Sequence, residues 1–123
     1  MIYFIRSYNE FVKIGRSYDV QARIIGLQTG SPRKLKVMAV MEGHSQTEIG
    51  LHQMFEKHRA QGEWFRLTQE LKWFIRAVQE HPSENNIKTL YKLSLQMRIS
   101  AKAKRLGKTH KLAKELAKFS SQT

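Results

Sequence analysis

Two short runs rich in β-branched and aromatic residues, Ile2-Tyr3-Phe4-Ile5-Arg6 and Phe11-Val12-Lys13-Ile14-Gly15, stand four residues apart at the start of the chain. Runs of this composition form strands, and the turn-like spacer Ser7-Tyr8-Asn9-Glu10 joins them as a β-hairpin. The hairpin brings Tyr3 and Lys13 onto neighbouring strands, and Arg23 falls on the element that follows. A phenol, an amine and a guanidinium gathered in this way suit the handling of phosphate. A Glu on a later helix would complete the group as a metal ligand.

The rest of the chain reads as alternating elements. Asp19 is placed to cap a helix from about Val20 that carries Ala22, Arg23, Ile24 and Leu27, and Gln28-Thr29-Gly30-Ser31-Pro32 ends it. Leu35 to Glu42 alternates, which predicts a strand with Leu35, Val37, Ala39 and Met41 on one side. Ser45 and Glu48 have capping-box spacing at the start of a helix running to about His58. Gln61-Gly62 leads into a short strand at Glu63–Leu67, and Thr68 caps a helix with Leu71, Phe74, Ile75 and Val78 at helical spacing. After His81-Pro82-Ser83, with Ser83 as the expected cap, a basic helix runs from about Glu84 to Leu106. Gly107 breaks it before a last short helix at 109–119. The expected fold class is α/β (α+β), with one unit over residues 1–80 and a basic helical extension over 84–123.

Of the net charge of +12, residues 86–123 hold +9, from ten Lys/Arg against Glu115 alone. A one-sided basic segment calls for a polyanion, and nucleic acid is the expected partner. DNA and RNA are equally polyanionic, so charge does not choose between them. The row Lys88, Lys92, Arg98, Lys102, Lys104, Arg105, Lys108, Lys111, Lys114 and Lys118 would lie along phosphates without reading sequence. On the other side of that helix Ile87, Leu90, Tyr91 and Leu95 would pack on the domain or on a second copy, giving a homodimer. The chain has no Cys, which fits a reducing cytoplasm, and no apolar run approaches the length of a membrane span.

Cleaving a phosphodiester needs an activated water, a clamp on the phosphate oxygens and help for the leaving oxygen. Tyr3, Lys13, Arg23 and Glu48 are of suitable kinds, although spacing alone does not single them out.

The segments Ile2-Tyr3-Phe4-Ile5, Val12-Lys13-Ile14-Gly15-Arg16-Ser17, Asp19-Val20, Arg23 and Leu27-Gln28-Thr29-Gly30 together resemble the GIY-YIG nuclease superfamily. The likeness is closest to its small phage and bacterial branch, whose second motif reads KIG. That branch also carries a segment matched here by Glu48-Ile49-Gly50-Leu51-His52-Gln53-Met54-Phe55 and then Gly62-Glu63-Trp64-Phe65. The resemblance covers roughly residues 1–75. It implies a three-stranded antiparallel sheet with flanking helices and cleavage of DNA phosphodiesters with Mg²⁺ or Mn²⁺.

In that resemblance Tyr3 is the general base or orients the attacking water, Arg23 binds phosphate and Glu48 holds the metal. Arg16 joins the nucleic-acid contacts. Lys13 stands where most members have Tyr, and its charge would support a phenolate at Tyr3. Met1 replaces the first motif's Gly, and Leu27 stands where some homing-type members carry His. His52, one turn after Glu48, is the candidate for a related catalytic role, and Glu63 is a rival to Glu48 as metal ligand.

Overall fold

In a computed structural model, residues 1–106 are described. Strands β1 (Ile2–Ser7), β2 (Phe11–Arg16), β3 (Leu35–Met41), β4 (Arg59–Gln61) and β5 (Trp64–Arg66) form one antiparallel sheet in the order β3-β1-β2-β5-β4. Helices α1 (Val20–Thr29), α2 (Ser45–Met54), α3 (Gln69–Glu80) and α4 (Ile87–Leu106) flank it, with a 3₁₀ turn at Glu56–His58. The fold is α+β as expected, and the three long strands are extended by the short hairpin β4–β5. The expected break at Gly107, the helix at 109–119, and Lys108, Lys111, Lys114 and Lys118 lie outside the described residues.

The sheet separates two apolar clusters of unequal size. On one face Ile2, Phe4, Val12, Ile14, Met41 and Phe65 pack with Leu51 of α2, Phe74 and Ile75 of α3 and Leu90 of α4. The rings of Phe55 and Phe4 meet Phe74 at 5.1 and 6.1 Å. On the other face Tyr3, Ile5 and Leu35 are buried beneath the half-buried Val20, Ile24 and Leu27 of α1. The first part of the basic extension therefore completes the main core rather than hanging from it.

Strand β3 departs from the expected alternation. Phe4 pairs with Ala39 but Ile5 with Val37, so Met38 is an extra residue, a β-bulge. The bulge sends Leu35 and Val37 to the α1 face and Ala39 and Met41 to the main core. The Met38 carbonyl accepts a 2.7 Å hydrogen bond from Gln79 of α3, which meets the demand of that backbone group.

Of the four expected caps two form and two are replaced by a neighbour. Asp19 and Thr68 accept from Ala22 N and Leu71 N as expected. At α2 the cap is His44 and not Ser45: its Nδ1 accepts from Gln46 N, and Thr47 Oγ1 accepts from His44 N. At α4 Asn86 takes the place expected for Ser83, its Oδ1 accepting from Lys88 N and Thr89 N. Helix α2 ends at Met54, short of the expected His58, because the chain tightens into the 3₁₀ turn.

One polar cluster bolts the 3₁₀ turn, α3 and α4 together. Glu70 is 3.2 Å from His58 Nε2, 3.4 Å from Lys57 Nζ and 3.2 Å from the Tyr91 hydroxyl. Burial pushes the Glu70 carboxyl up, but the bonds from His58, Lys57 and Tyr91 outweigh it and hold the group below its ordinary value. A carboxyl lowered by folding adds stability above its unfolded value, and loses that contribution as pH falls through the folded one. Glu70→Gln should therefore flatten the acid side of a Tm-against-pH profile below the ordinary carboxylate range. An unchanged acid limb would remove Glu70 from the account.

Candidate active site

Tyr3 and Gly15 are cross-strand partners on the α1 face. Tyr3 is 1% exposed, and its ring tip lies so close over Gly15 that a Cβ built there would meet the hydroxyl oxygen at 2.3 Å. The Gly of the KIG motif is thus the floor on which the Tyr3 hydroxyl rests.

Arg23, exposed one turn into α1, is turned to this hydroxyl. Its guanidinium is held above its ordinary value, first by hydrogen bonding with Tyr3, then by the Tyr3 charge, with a smaller contribution from Glu63. The Asp19 cap fixes the start of α1 and so the direction in which Arg23 leaves it.

Lys13 lies on the same face two residues before Gly15. Its Nζ is 3.2 Å from Glu63 Oε2 and 5.5 Å from the centre of the Trp64 ring. Glu63 reaches this place because Gly62, at φ +57°, turns the β4–β5 hairpin in two residues. The structure therefore brings Tyr3, Lys13, Arg23 and Glu63 to one side of the sheet, where Glu63 pairs with Lys13 and its charge also favours the Arg23 cation. Trp64 is half-buried and forms the wall beside Lys13. Glu63, expected at the start of a strand, instead forms with Gly62 the two-residue turn before β5, and that turn sets both Glu63 and Trp64.

Glu48 and His52 are on α2, which borders β2 where β5 has ended. There Ile14 N bonds to Glu63 O, and the Ile14 carbonyl accepts from His52 Nε2 at 2.8 Å. The His52 ring also packs on Phe65 with centroids 5.1 Å apart. This differs from the expectation that His52 joins Tyr3 and Arg23: its Nε2 proton is committed to the backbone.

Glu48 is one turn nearer the helix start than His52, on the same face of α2. It is half-buried, and its carboxylate makes no hydrogen bond or ion pair among the described residues, since Thr47 and His44 form the cap without it. No cluster of three or more His, Asp or Glu side chains able to hold a metal occurs among the described residues. A lone carboxylate with open coordination fits Mg²⁺, which keeps waters and takes its remaining oxygens from substrate phosphate. Arg16 is exposed at the end of β2, where with Ser17, Tyr18 and His44 it lines a pocket of about 210 Å³.

Lys88, Lys92, Arg98, Lys102, Lys104 and Arg105 are all exposed on α4. Arg98, Lys102 and Arg105 join Arg76 and Trp73 of α3 around a groove of about 530 Å³. Ile87, Leu90 and Tyr91 pack on the domain, whereas Leu95 is 40% exposed. Helices α3 and α4 cover the sheet face opposite to that of Tyr3. No helix among the described residues is long and apolar enough to cross a membrane.

Comparison with known proteins adds one result: the T5orf172 domain matches residues 1–80. The chain belongs to the T5orf172 family. No curated protein and no solved structure matches it. The T5orf172 region contains Tyr3, Lys13, Arg23, Glu48 and Glu63, and ends at the last residue of α3.

Proposed function

We propose that the protein is a metal-dependent endonuclease that hydrolyses DNA phosphodiester bonds. The T5orf172 domain lies within a clade of GIY-YIG- and HNH-like endonucleases, which supports a nuclease-like, nucleic-acid-related role. The observation that carries the finer reading is the placement of Tyr3, Gly15 and Lys13 on one sheet face, with the Tyr3 hydroxyl resting on Gly15 and acting on the Arg23 guanidinium. Arg23, exposed and free of any carboxylate salt bridge among the described residues, clamps the phosphate oxygens. The Tyr3 hydroxyl, fixed by burial of its ring, orients the attacking water. Lys13, restrained by Glu63 and Trp64, adds positive charge at a set position. Glu48 would hold Mg²⁺ or Mn²⁺, and the ion when bound supplies charge at the leaving oxygen. The basic side of α4 adds affinity through phosphate contacts.

The test is nicking of supercoiled plasmid with Mg²⁺ by the wild type, Arg23→Ala and Glu48→Ala. Each variant should lose about 10²–10³ in rate, the usual effect of removing one group that stabilises transition-state charge. Equal rates for all three, or no cleavage of any DNA or RNA by the wild type, would sink the proposal. The Lys13–Glu63 ion pair favours a second reading, a nucleic-acid-binding protein on a silent nuclease scaffold. It predicts salt-dependent binding with no cleavage.

A further inference from the structure

The sheet face that carries Tyr3 and Lys13 continues past them into a groove of about 350 Å³. Ser7, Phe11, Ser31, Arg33, Gln61 and Trp64 line it. Ser7 and Phe11 follow from the strand alternation that places Tyr3, Ile5 and Lys13 on this face. We infer that this groove receives one unpaired nucleobase, so that the site engages single-stranded or locally opened nucleic acid rather than closed duplex. The inference rests on the reading of Lys13 and Arg23 as phosphate-handling groups and names the form of the substrate.

Three observations support it. The walls are aromatic: Phe11 and Trp64 are both half-buried, so each keeps ring surface for a planar partner. A base inside a duplex offers only its edges to a protein, whereas an unpaired base offers its face, and stacking then tolerates any sequence. The groove also holds uncommitted polar groups. The Ser7 hydroxyl and the Gln61 amide make no hydrogen bond among the described residues, and both can meet a base edge. Ser31 by contrast is used internally, bonding to Arg33 N and O.

The third observation is placement and charge. Lys13 Nζ lies over one face of the Trp64 ring, 5.5 Å from its centre, which sets a cation beside the groove at its Trp64 wall and leaves the other face of the indole for a base. Arg33 borders the far end, paired with Glu10 at 2.8 Å and stacked on Tyr8 at 4.9 Å. Cations at both ends suit a strand running along the groove. A volume of this size holds a base and excludes a double helix.

The chain has two tryptophans, so Trp73→Phe leaves Trp64 as the sole indole reporter. In the full chain with EDTA, which removes cleavage from the readout, three probes are titrated. These are a short single-stranded oligonucleotide, an abasic oligomer of equal length and charge, and a duplex. The single strand should quench Trp64 emission and bind about tenfold or more tighter than the abasic oligomer. Gln61→Ala, at an exposed position, and Phe11→Ala should narrow that gap while leaving the affinity for the abasic oligomer in place. Equal affinity for natural and abasic strands, equal quenching by duplex, binding with no change at Trp64, or no binding of any probe would overturn the inference. Failure of plasmid nicking leaves this readout untouched, so the two proposals fail separately.

Discussion

Gly15→Ala will destabilise the protein by roughly 2–3 kcal/mol, the upper part of the range for overpacking a tight site. The new methyl would meet the Tyr3 hydroxyl oxygen at 2.3 Å and its ring carbon Cζ at 2.4 Å, well inside contact distance. Tyr3 has little room to retreat, because it is 1% exposed and packs with Ile5 and Leu35. Urea denaturation gives the loss directly. The cause is isolated by repeating the substitution in a Tyr3→Leu background, where the ring tip is gone. There Gly15→Ala should cost under about 1 kcal/mol, leaving a coupling energy above about 1 kcal/mol between the two positions. An equal cost in both backgrounds would mean that the close approach is not what requires glycine. Where the ring does yield, the Tyr3 hydroxyl is displaced from Arg23, so the same variant should also lose nicking activity.

His52→Ala should cost about 2–4 kcal/mol. It removes the hydrogen bond to the Ile14 carbonyl, leaves that part-buried carbonyl without a partner, and deletes the ring that packs on Phe65. Thermal denaturation beside a nicking assay decides between two roles. A fall in Tm with activity reduced only in proportion to folded protein fits an anchor that joins α2 to β2. An unchanged Tm with activity abolished would return His52 to the chemistry. Because Glu48 rides on the same helix, a secondary loss of metal response in the destabilised variant should be recovered by working well below its Tm.

Much of this architecture was legible because local rules were obeyed. The β1–β2 hairpin follows from two β-rich runs with a short spacer, and α3 from the spacing of Leu71, Phe74, Ile75 and Val78. Asp19 and Thr68 cap where their side chains reach the first turn. The misreadings have long-range causes. The Met38 bulge is set by pairing with β1 and by Gln79, forty-one residues away, neither visible in the strand itself. Ser45 and Glu48 have the commoner capping spacing, whereas the observed cap uses an imidazole nitrogen of His44 as acceptor, a rarer choice that spacing does not signal. Strand β4, with Arg59, Ala60 and Gln61, has no β-forming composition; it exists because β5 offers it an edge. Within the site, Tyr3, Lys13 and Arg23 were legible from their order in a motif set. Glu63 as their partner depended on a hairpin turn, and the commitment of His52 on where β5 happens to stop.

The helix that delivers Arg23 has no buried residue at all. Ten residues are too few for a helix to persist alone in water. Asp19, Gln28 and three half-buried side chains must hold it down, whereas α3 sinks five residues into the main core. The free energy of local opening is therefore unevenly distributed across the sheet. The layer over Tyr3 opens first, and amide hydrogens of α1 exchange through small fluctuations while those of α3 wait for global unfolding. Arg23 thus rides on a layer more easily lifted than α3, so the distance between its guanidinium and the Tyr3 oxygen can adjust to a phosphate without disturbing the core beneath.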